Sequence, residues 1–226
     1  RVTGYIEVVL SESMPDSLVV IGAGPIGIEF ACVAASFGSN VTVLEYQDRI
    51  LPAEDADVSA ELAKALKKLG VTIVTGARVV SASDTESGAQ VTYDTATGEK
   101  TEVAAEHVLV AVGFSPRLEG YGLDATGVAV TERGAIDVDA QLRTSVPHVF
   151  AIGDVTGKLA LAHVAEAQGI LAAEVIGAAS TRVMGDYRDM PRAVYSSPQV
   201  ASFGLTEAQA REELGEVLVA SFPFVA

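Results

Sequence analysis

The stretch SLVVIGAGPIGIEFACVAASFGSNVTVLE, residues 17–45, decides the fold of this protein. It opens with the apolar run 18–21, which is typical of a parallel strand covered on both faces, because such strands lose polar alternation. A glycine-rich turn follows and leads into a helix that Gly38 ends. A second strand, residues 41–44, then stops at a glutamate. We expect this strand–helix–strand unit to close as a right-handed parallel crossover.

The glycine-rich turn has the spacing Gly22-x-Gly24-x-x-Gly27. Gly22 permits a tight turn, Gly24 lets a pyrophosphate approach the backbone, and Gly27 allows close packing of helix on strand. The N–H groups at the start of the helix then bind phosphate oxygens. An ordinary tight turn is the alternative. The preceding strand, the following helix and the acidic residue after the next strand favour a dinucleotide site.

Glu45 ends the second strand and predicts which dinucleotide binds. A carboxylate there accepts hydrogen bonds from the adenosine ribose hydroxyls and repels a 2′-phosphate, so NAD(H) is favoured over NADP(H). The alternative is a solvated glutamate at a strand end. Arg49 lies four residues downstream and could weaken the discrimination.

The next part of the chain extends the same sheet. Residues 57–69 have the apolar spacing of a helix, and residues 71–74 resume the sheet. Alternating short strands over residues 78–103 predict an antiparallel meander. A buried strand over residues 107–112 ends at Gly113. The sequence therefore predicts an α/β fold: a Rossmann-like dinucleotide-binding domain whose parallel sheet carries an antiparallel meander.

Beyond that strand the organisation changes. Residues 127–139 resemble a hairpin, residues 149–152 a strand, and residues 162–176 a strong helix. Past Tyr187, prolines and new strand patterns suggest a third module. The sequence starts without a methionine and stops in mid-pattern, so we expect it to be the middle of a longer protein.

Asp154 follows the strand that ends in Ala-Ile-Gly. Small residues at the carboxyl edge of a parallel sheet let a flat ligand approach the backbone. The aspartate could accept a hydrogen bond from a sugar or polyol hydroxyl, or it could simply cap a helix. The residue chemistry alone leaves these two readings equally matched.

Histidine and cysteine are too sparse for a metal site or a nucleophile pair. The three histidines are scattered, and there is one cysteine, Cys32. His163 begins a helix and has no nucleophile nearby, so a structural role is favoured over that of a catalytic base. We predict no catalytic residue and no metal ligand in this chain.

Composition restricts the partners. Hydrophobic residues make up 49% of the chain, and the net charge is −15. Such an acidic surface disfavours nucleic acid and anionic membranes. One cysteine suits a reducing compartment, so we expect a cytoplasmic protein.

Six motifs in order give a resemblance to a known family. They are VVIGAGPIGIEFA, VTVLE, VLVAVGFSPR, VPHVFAIGDV, LAHVAEAQG and VYSSPQVASFGLTEAQA. In this order they resemble the flavin disulfide reductases. The resemblance implies an NAD-binding domain over residues 1–118, a second segment of an FAD-binding domain over 119–186, and the start of an α+β dimerisation domain over 187–226.

The resemblance also assigns roles to individual residues. Glu29 would reach towards the nicotinamide, Val79 would contact the adenine, and Gly113 would lie beside the nicotinamide half. Asp154 would hold the ribityl chain of FAD. The implied NAD residues are Gly22, Ala23, Gly24, Pro25, Ile26, Gly27, Ile28, Glu29, Glu45, Val79 and Gly113, and the implied FAD residues are Asp154, Ala160, Leu161, Ala162 and His163.

Within the family, the resemblance is to the branch that oxidises dihydrolipoamide on the lipoyl domains of 2-oxo acid dehydrogenase complexes. Such an enzyme is a homodimer and passes electrons through a redox disulfide and FAD to NAD⁺. The redox cysteine pair and the catalytic histidine are absent here, so we expect no turnover by this chain alone. The alternatives are a transhydrogenase, a glutathione or mercuric reductase, or a non-catalytic NADH-binding module.

Overall fold

The computed structural model describes residues 1–179 and 182–224. The elements are β1 (Val2–Thr3), α1 (Tyr5–Val9), β2 (Ser17–Ile21), α2 (Pro25–Ser36), β3 (Asn40–Leu44), α3 (Ala56–Lys68), β4 (Thr72–Val74), β5 (Arg78–Asp84), β6 (Ala89–Asp94), β7 (Lys100–Ala105), β8 (His107–Val110), α4 (Ala162–Ile176), β9 (Arg192–Val194), β10 (Val200–Ser202) and α5 (Glu207–Leu214). Three short 3₁₀ turns lie at Leu123–Thr126, Gly153–Thr156 and Tyr187–Asp189.

A five-stranded sheet in the order β1-β8-β2-β3-β4 forms the centre of the first part, and its pairings are parallel. Strand β2 lies in the middle, with Val20 opposite Val43 of β3 and Leu109 of β8. All three side chains are buried, as expected for a parallel sheet covered on both faces. The predicted parallel sheet is confirmed.

Helix α2 begins at Pro25 and ends at Ser36, so it starts one residue after the second glycine of the loop. Its buried side chains include Ile28 and Ala31, which join β2 and β3 in one core cluster. Helix α3 adds Leu62 and Leu66 to the same cluster. These apolar contacts hold the start of α2 against the carboxyl end of β2.

The antiparallel meander is a three-stranded sheet in the order β5-β6-β7. Strand β6 alternates strictly, burying Ala89, Val91 and Tyr93 against a second cluster that includes Leu44. A register irregularity falls between Val79 and Ser81. The predicted meander is confirmed.

The chain divides into two compact units. One contains Arg1–Gly113 and the chain from Ala193 onward, and the other contains Phe114–Arg192. Residues 180–181 and 225–226, which fall within the predicted FAD-binding and dimerisation segments, lie outside the described residues.

The second unit has helix α4 as predicted, but the predicted strand over residues 149–152 does not form. The chain there makes only an isolated antiparallel bridge between Phe150 and Arg143. The predicted hairpin over residues 127–139 is likewise reduced to one bridge, between Val130 and Ile136. A strand needs a continuous neighbour, and a run of apolar residues does not reveal whether one is available.

In the first unit, the stretch from Ala193 onward packs on the nucleotide-binding fold. Val194 and Val200, from β9 and β10, are buried in the same cluster as α2 and α3. Two carboxylates reinforce the contact: Glu29 Oε1 accepts a hydrogen bond from the N–H of Tyr195 at 2.8 Å, and Asp55 Oδ1 accepts one from Glu207 at 2.7 Å.

Within the described ranges, no helix is long and apolar enough to cross a membrane.

Candidate functional site

Two of the three glycines in the loop are required by packing. Gly22 has φ +102°, and a Cβ there would lie 2.5 Å from the carbonyl oxygen of Ala111. A Cβ on Gly27 would lie 2.0 Å from the carbonyl oxygen of Gly22. No side chain fits at such distances, so these glycines bring strand, loop and helix together.

Gly24 is different, because its neighbourhood is open. A Cβ built there meets no heavy atom within 4 Å, and its φ of −70° suits any residue. Neither crowding nor backbone strain accounts for a glycine at this position. The space that its missing side chain leaves open lies directly before the first turn of α2.

The first turn of α2 supplies hydrogen-bond donors to that space. Pro25 occupies the first helical position, where its missing N–H costs nothing. Ile28 already donates to the carbonyl of Gly24 at 3.0 Å, whereas the N–H groups of Ile26 and Gly27 precede the first intrahelical bond. Together with the positive end of the helix dipole, they suit the oxygens of a phosphate.

Glu45 lies beside the loop, as the strand spacing predicted, but it is not solvated. Only 7% of the residue is exposed. Its Oε2 accepts a hydrogen bond from the N–H of Ala23 at 2.6 Å, and its Oε1 accepts one from Gln47 at 2.7 Å. The loop and the glutamate are therefore brought into direct contact.

Three other residues assigned to the NAD site lie further from the loop. Half-buried Glu29 is one turn into α2 and is bonded to the N–H of Tyr195. Val79 is partly buried at the start of β5, two residues after Ala77, whose N–H donates to the carbonyl of Glu45 at 2.8 Å. Gly113 is exposed, with φ +117° and no atom near its missing Cβ.

The residues assigned to FAD lie in the second unit. Asp154 is exposed on the short turn Gly153–Thr156, where Gly153 has φ +72°. Ala160 precedes the start of α4, Leu161 is its N-cap, and Ala162 and His163 begin the helix. The open first turn of a helix beside an exposed carboxylate suits a ligand with hydroxyl and phosphate groups.

His163 is held by main chain. Its Nε2 lies 2.8 Å from the carbonyl oxygen of Pro191, which can accept a hydrogen bond from the ring. Gln168, fully buried on the same helix, accepts a hydrogen bond from the N–H of Gly153 at 2.6 Å and donates to the hydroxyl of Tyr187 at 2.9 Å. These contacts fix helix α4 against the turn that carries Asp154.

Cys32 is buried on α2 and is the one cysteine of the chain. Burial raises the pKa of its thiol, the N–H of Ser197 opposes this, and the charge of Glu29 raises it further. A raised pKa keeps the sulfur protonated and unreactive. The side chain therefore belongs to the core.

No group of three or more histidine, cysteine, aspartate or glutamate side chains capable of holding a metal occurs in the described ranges.

Sequence reasoning missed the contribution of Leu51 to the site. Its N–H donates to the carbonyl oxygen of Ala23 at 2.9 Å, and its side chain is buried. Leu51 has φ +44°, a left-handed conformation that costs about 1–2 kcal/mol for such a residue. No sequence signal marks a leucine for this role, because the contact depends on how the chain after β3 turns back.

A glycine-rich loop between a parallel strand and a helix, with a carboxylate at the next strand end, defines a Rossmann-like dinucleotide-binding class of protein. The chain belongs to the pyridine nucleotide-disulphide oxidoreductase family, which matches residues 6–169, and the dimerisation domain of that family matches residues 190–226. The chain is a homologue of dihydrolipoyl dehydrogenases. The predicted resemblance to flavin disulfide reductases is confirmed.

Comparison with individual proteins supports this family assignment. The dihydrolipoyl dehydrogenase of Mycobacterium tuberculosis is 54% identical over the whole chain, and that of Geobacillus stearothermophilus is 46% identical over 94% of it. The chain covers 48% and 45% of these two proteins, so it spans about half the length of the curated relatives it matches. The HOCl-induced flavoprotein disulfide reductase RclA from Escherichia coli has the same fold, with a TM-score of 0.90 at 32% identity over 100% of this chain and 51% of RclA.

Proposed function

We propose that this chain forms the NAD site and part of the FAD site of an FAD-dependent oxidoreductase that oxidises dihydrolipoamide and reduces NAD⁺. The observation that carries the NAD site is Gly24, a glycine that neither crowding nor backbone strain requires, placed at the open start of α2. A pyrophosphate fits there because the backbone is accessible and the helix offers N–H groups to its oxygens.

The chain's residues have distinct roles in the proposed NAD site. The loop residues 22–28 bind and orient the pyrophosphate, and Glu45 disfavours a 2′-phosphate through its negative charge. Val79 contacts the adenine, and Gly113 leaves room for the nicotinamide half. Glu29 faces the nicotinamide end. A contact between its carboxylate and the nucleotide there competes with the hydrogen bond that it now accepts from the N–H of Tyr195.

The proposed FAD residues are those around the start of α4. Asp154 accepts a hydrogen bond from the ribityl chain, and residues 160–163 line the flavin through backbone and packing. Bound FAD would supply the chemistry that carries two electrons between a redox disulfide and the nicotinamide. His163 orients the helix through Pro191 and is not a base.

The remaining machinery lies outside this sequence. With one cysteine in the chain, a redox disulfide must come from another part of the enzyme. We therefore propose that the chain is inactive by itself. The match of residues 190–226 to a dimerisation domain supports a homodimer for the whole enzyme, which we propose to be cytoplasmic. Its substrate would be dihydrolipoamide on the lipoyl domains of 2-oxo acid dehydrogenase complexes. Residues 1–118, 119–186 and 187–226 are the proposed NAD-binding, FAD-binding and dimerisation segments.

Titration of the purified chain with NADH and, separately, with NADPH tests the nucleotide site. We expect saturable NADH binding and much weaker NADPH binding by calorimetry. Tighter NADPH binding would overturn the NAD assignment and favour the NADPH-dependent reductases of the family. The absence of binding by either nucleotide would contradict the proposed site.

A second assay distinguishes a reductase from a non-catalytic NADH-binding module. The whole enzyme should carry FAD and reduce NAD⁺ with dihydrolipoamide, and it should lose that activity when either redox cysteine is replaced by serine. An intact protein that binds NADH but holds no flavin would favour the module. Preference for glutathione or mercuric ion over dihydrolipoamide would favour the other reductases.

A further inference from the structure

Glu45 is a buried carboxylate whose two oxygens both accept main-chain hydrogen bonds. Oε2 takes the N–H of Ala23 at 2.6 Å, inside the glycine-rich loop, and Oε1 takes the N–H of Gln47 at 2.7 Å, in the turn after β3. Hydrogen bonds to a charged acceptor are short and strong compared with those between neutral groups. The side chain therefore joins two main-chain turns through one group.

Few other hydrogen bonds restrain residues 22 and 23 of the loop in the part of the chain that the structure describes. The N–H of Gly22 donates to the carbonyl of Leu44 at 2.8 Å, and the carbonyl of Ala23 accepts from Leu51 at 2.9 Å. Ala23 itself is fully buried. Without the carboxylate, its N–H would be left in the interior with no acceptor, which is costly for a buried donor.

The main chain of Glu45 is fixed as well. Its N–H donates to the carbonyl of Val74 at 2.9 Å, and its carbonyl accepts from Ala77 at 2.8 Å. The carboxylate is therefore presented to the loop from a rigid strand end.

We infer that Glu45 is a positioning residue for the glycine-rich loop, and that it sets the conformation that receives the pyrophosphate before any nucleotide is present. This inference rests on the proposed NAD site and adds to it a role distinct from recognition of the ribose. A carboxylate has about four acceptor positions, so holding two N–H groups leaves capacity for ribose hydroxyls. One consequence is that replacing Glu45 weakens the binding of NADH and also, by a smaller factor, that of NADPH, whose 2′-phosphate is then no longer repelled.

Amide hydrogen exchange of the nucleotide-free 226-residue chain, measured by NMR, tests the inference. Ala23 lies in a turn, yet its amide should exchange about as slowly as that of Val20 in the centre of β2. In Glu45→Met the amide of Ala23 should exchange about tenfold or more faster, because methionine has a similar length but no oxygen that could accept the hydrogen bond. Val20 should change little, which separates a local effect from general loss of stability.

Asp48→Asn is the matched control. Asp48 is exposed and three residues from Glu45, so the variant removes the same charge from the same turn without touching the loop. It should leave the exchange of Ala23 unchanged. Equal acceleration in both variants would overturn the inference, because charge alone would then account for it.

Nucleotide titrations at a temperature where Glu45→Met is folded give the second measurement. We expect NADH binding to weaken by about tenfold or more and NADPH binding to weaken by a smaller factor, because loss of the charge also removes the repulsion of the 2′-phosphate. Loss of NADH binding alone, with NADPH binding unchanged or tighter, would show that Glu45 recognises the ribose without positioning the loop. That result would overturn the inference.

If Glu45→Met does not fold, exchange in the unchanged protein decides. A slow Ala23 amide supports the inference, and an amide that exchanges at the rate of an open turn overturns it. Failure of the unchanged protein to bind NADH would contradict the proposed function, while the Ala23 measurement would still report on the role of Glu45 in the loop.

Discussion

The three glycines of one short loop serve different physical needs. Gly22 and Gly27 are where backbone meets backbone at distances that exclude a Cβ. Gly24 has ordinary dihedral angles and open space around it. The same substitution is therefore expected to have different consequences at these three glycines.

Gly24→Ala should leave the free energy of unfolding within about 1 kcal/mol of that of the unchanged chain, since nothing is displaced and only the preference for glycine at a helix cap is lost. NADH binding should weaken by about tenfold or more, because the methyl group occupies the space proposed for the pyrophosphate. Thermal unfolding and NADH calorimetry measure the two effects.

Gly27→Ala is the comparison variant, and it should destabilise the fold by several kcal/mol because its Cβ overlaps the carbonyl of Gly22. Unchanged NADH affinity in a folded Gly24→Ala protein would contradict the proposed loop function.

The thiol of Cys32 gives a prediction on pH. Burial raises its pKa above that of an unfolded cysteine, so the unfolded chain loses the proton first as pH rises. The associated stability is fully present below the unfolded pKa, about 8.5, and is lost as pH rises towards the folded pKa.

Chemical denaturation between neutral and alkaline pH should therefore show a loss of stability that is smaller in Cys32→Ala. Iodoacetamide should label the native thiol much more slowly than the denatured one. Rapid labelling of the native protein would show that the sulfur is not buried as described.

Among the elements, helix α3 begins after a residue, Asp55, whose carboxylate accepts a hydrogen bond from a different helix. Asp55 is its N-cap residue, but its side chain makes no capping bond to α3. Instead, Oδ1 accepts the N–H of Glu207 at the first turn of α5. A residue at a helix start thus tethers a segment that is distant in sequence.

Asp55→Ala should lower the free energy of unfolding by about 1–2 kcal/mol, because the hydrogen bond to a charged acceptor is lost. The amide of Glu207 should exchange faster as well. Asp57→Ala is the control, since Asp57 lies in the same helical turn and accepts a hydrogen bond from the N–H of its neighbour Val58. Equal exchange at Glu207 in both variants would contradict the tether.

For the molecule as a whole, the division into units does not follow the order of the chain. The stretch from Ala193 onward joins Arg1–Gly113, although 79 residues, Phe114–Arg192, intervene. Buried Val194 and Val200 make it part of the core around α2. Stability of the nucleotide-binding fold therefore depends on side chains far along the sequence.

Val194→Ala should destabilise the nucleotide-binding fold by about 1–3 kcal/mol, since two buried methyl groups are lost and a cavity is left. Exchange of amides in β2 should accelerate accordingly. Val219→Ala, at an exposed position of the same stretch, should have little effect. If Val194→Ala affected only residues after Ala193, that stretch would be an independent module.

Much of this architecture was predictable because it rests on local chemistry. The apolar run before Gly22, the glycine spacing and the acidic residue after β3 are short-range signals, and each is governed by sterics and hydrogen bonding within a few residues. They predicted the parallel sheet, the helix at the loop and the position of Glu45. Helix α4 was predicted from its own apolar pattern in the same way.

Other features depend on residues brought together from separate parts of the chain, and no local pattern specifies them. The inward turn of Glu45 onto Ala23 and the left-handed Leu51 beneath the loop arise from the path of the chain after β3. The predicted strand at residues 149–152 did not form because apolarity does not supply a neighbouring strand. The bond of Glu29 to Tyr195 joins residues 166 positions apart. Such contacts are set by packing of the whole unit, because their free energy is gained only after distant segments have met.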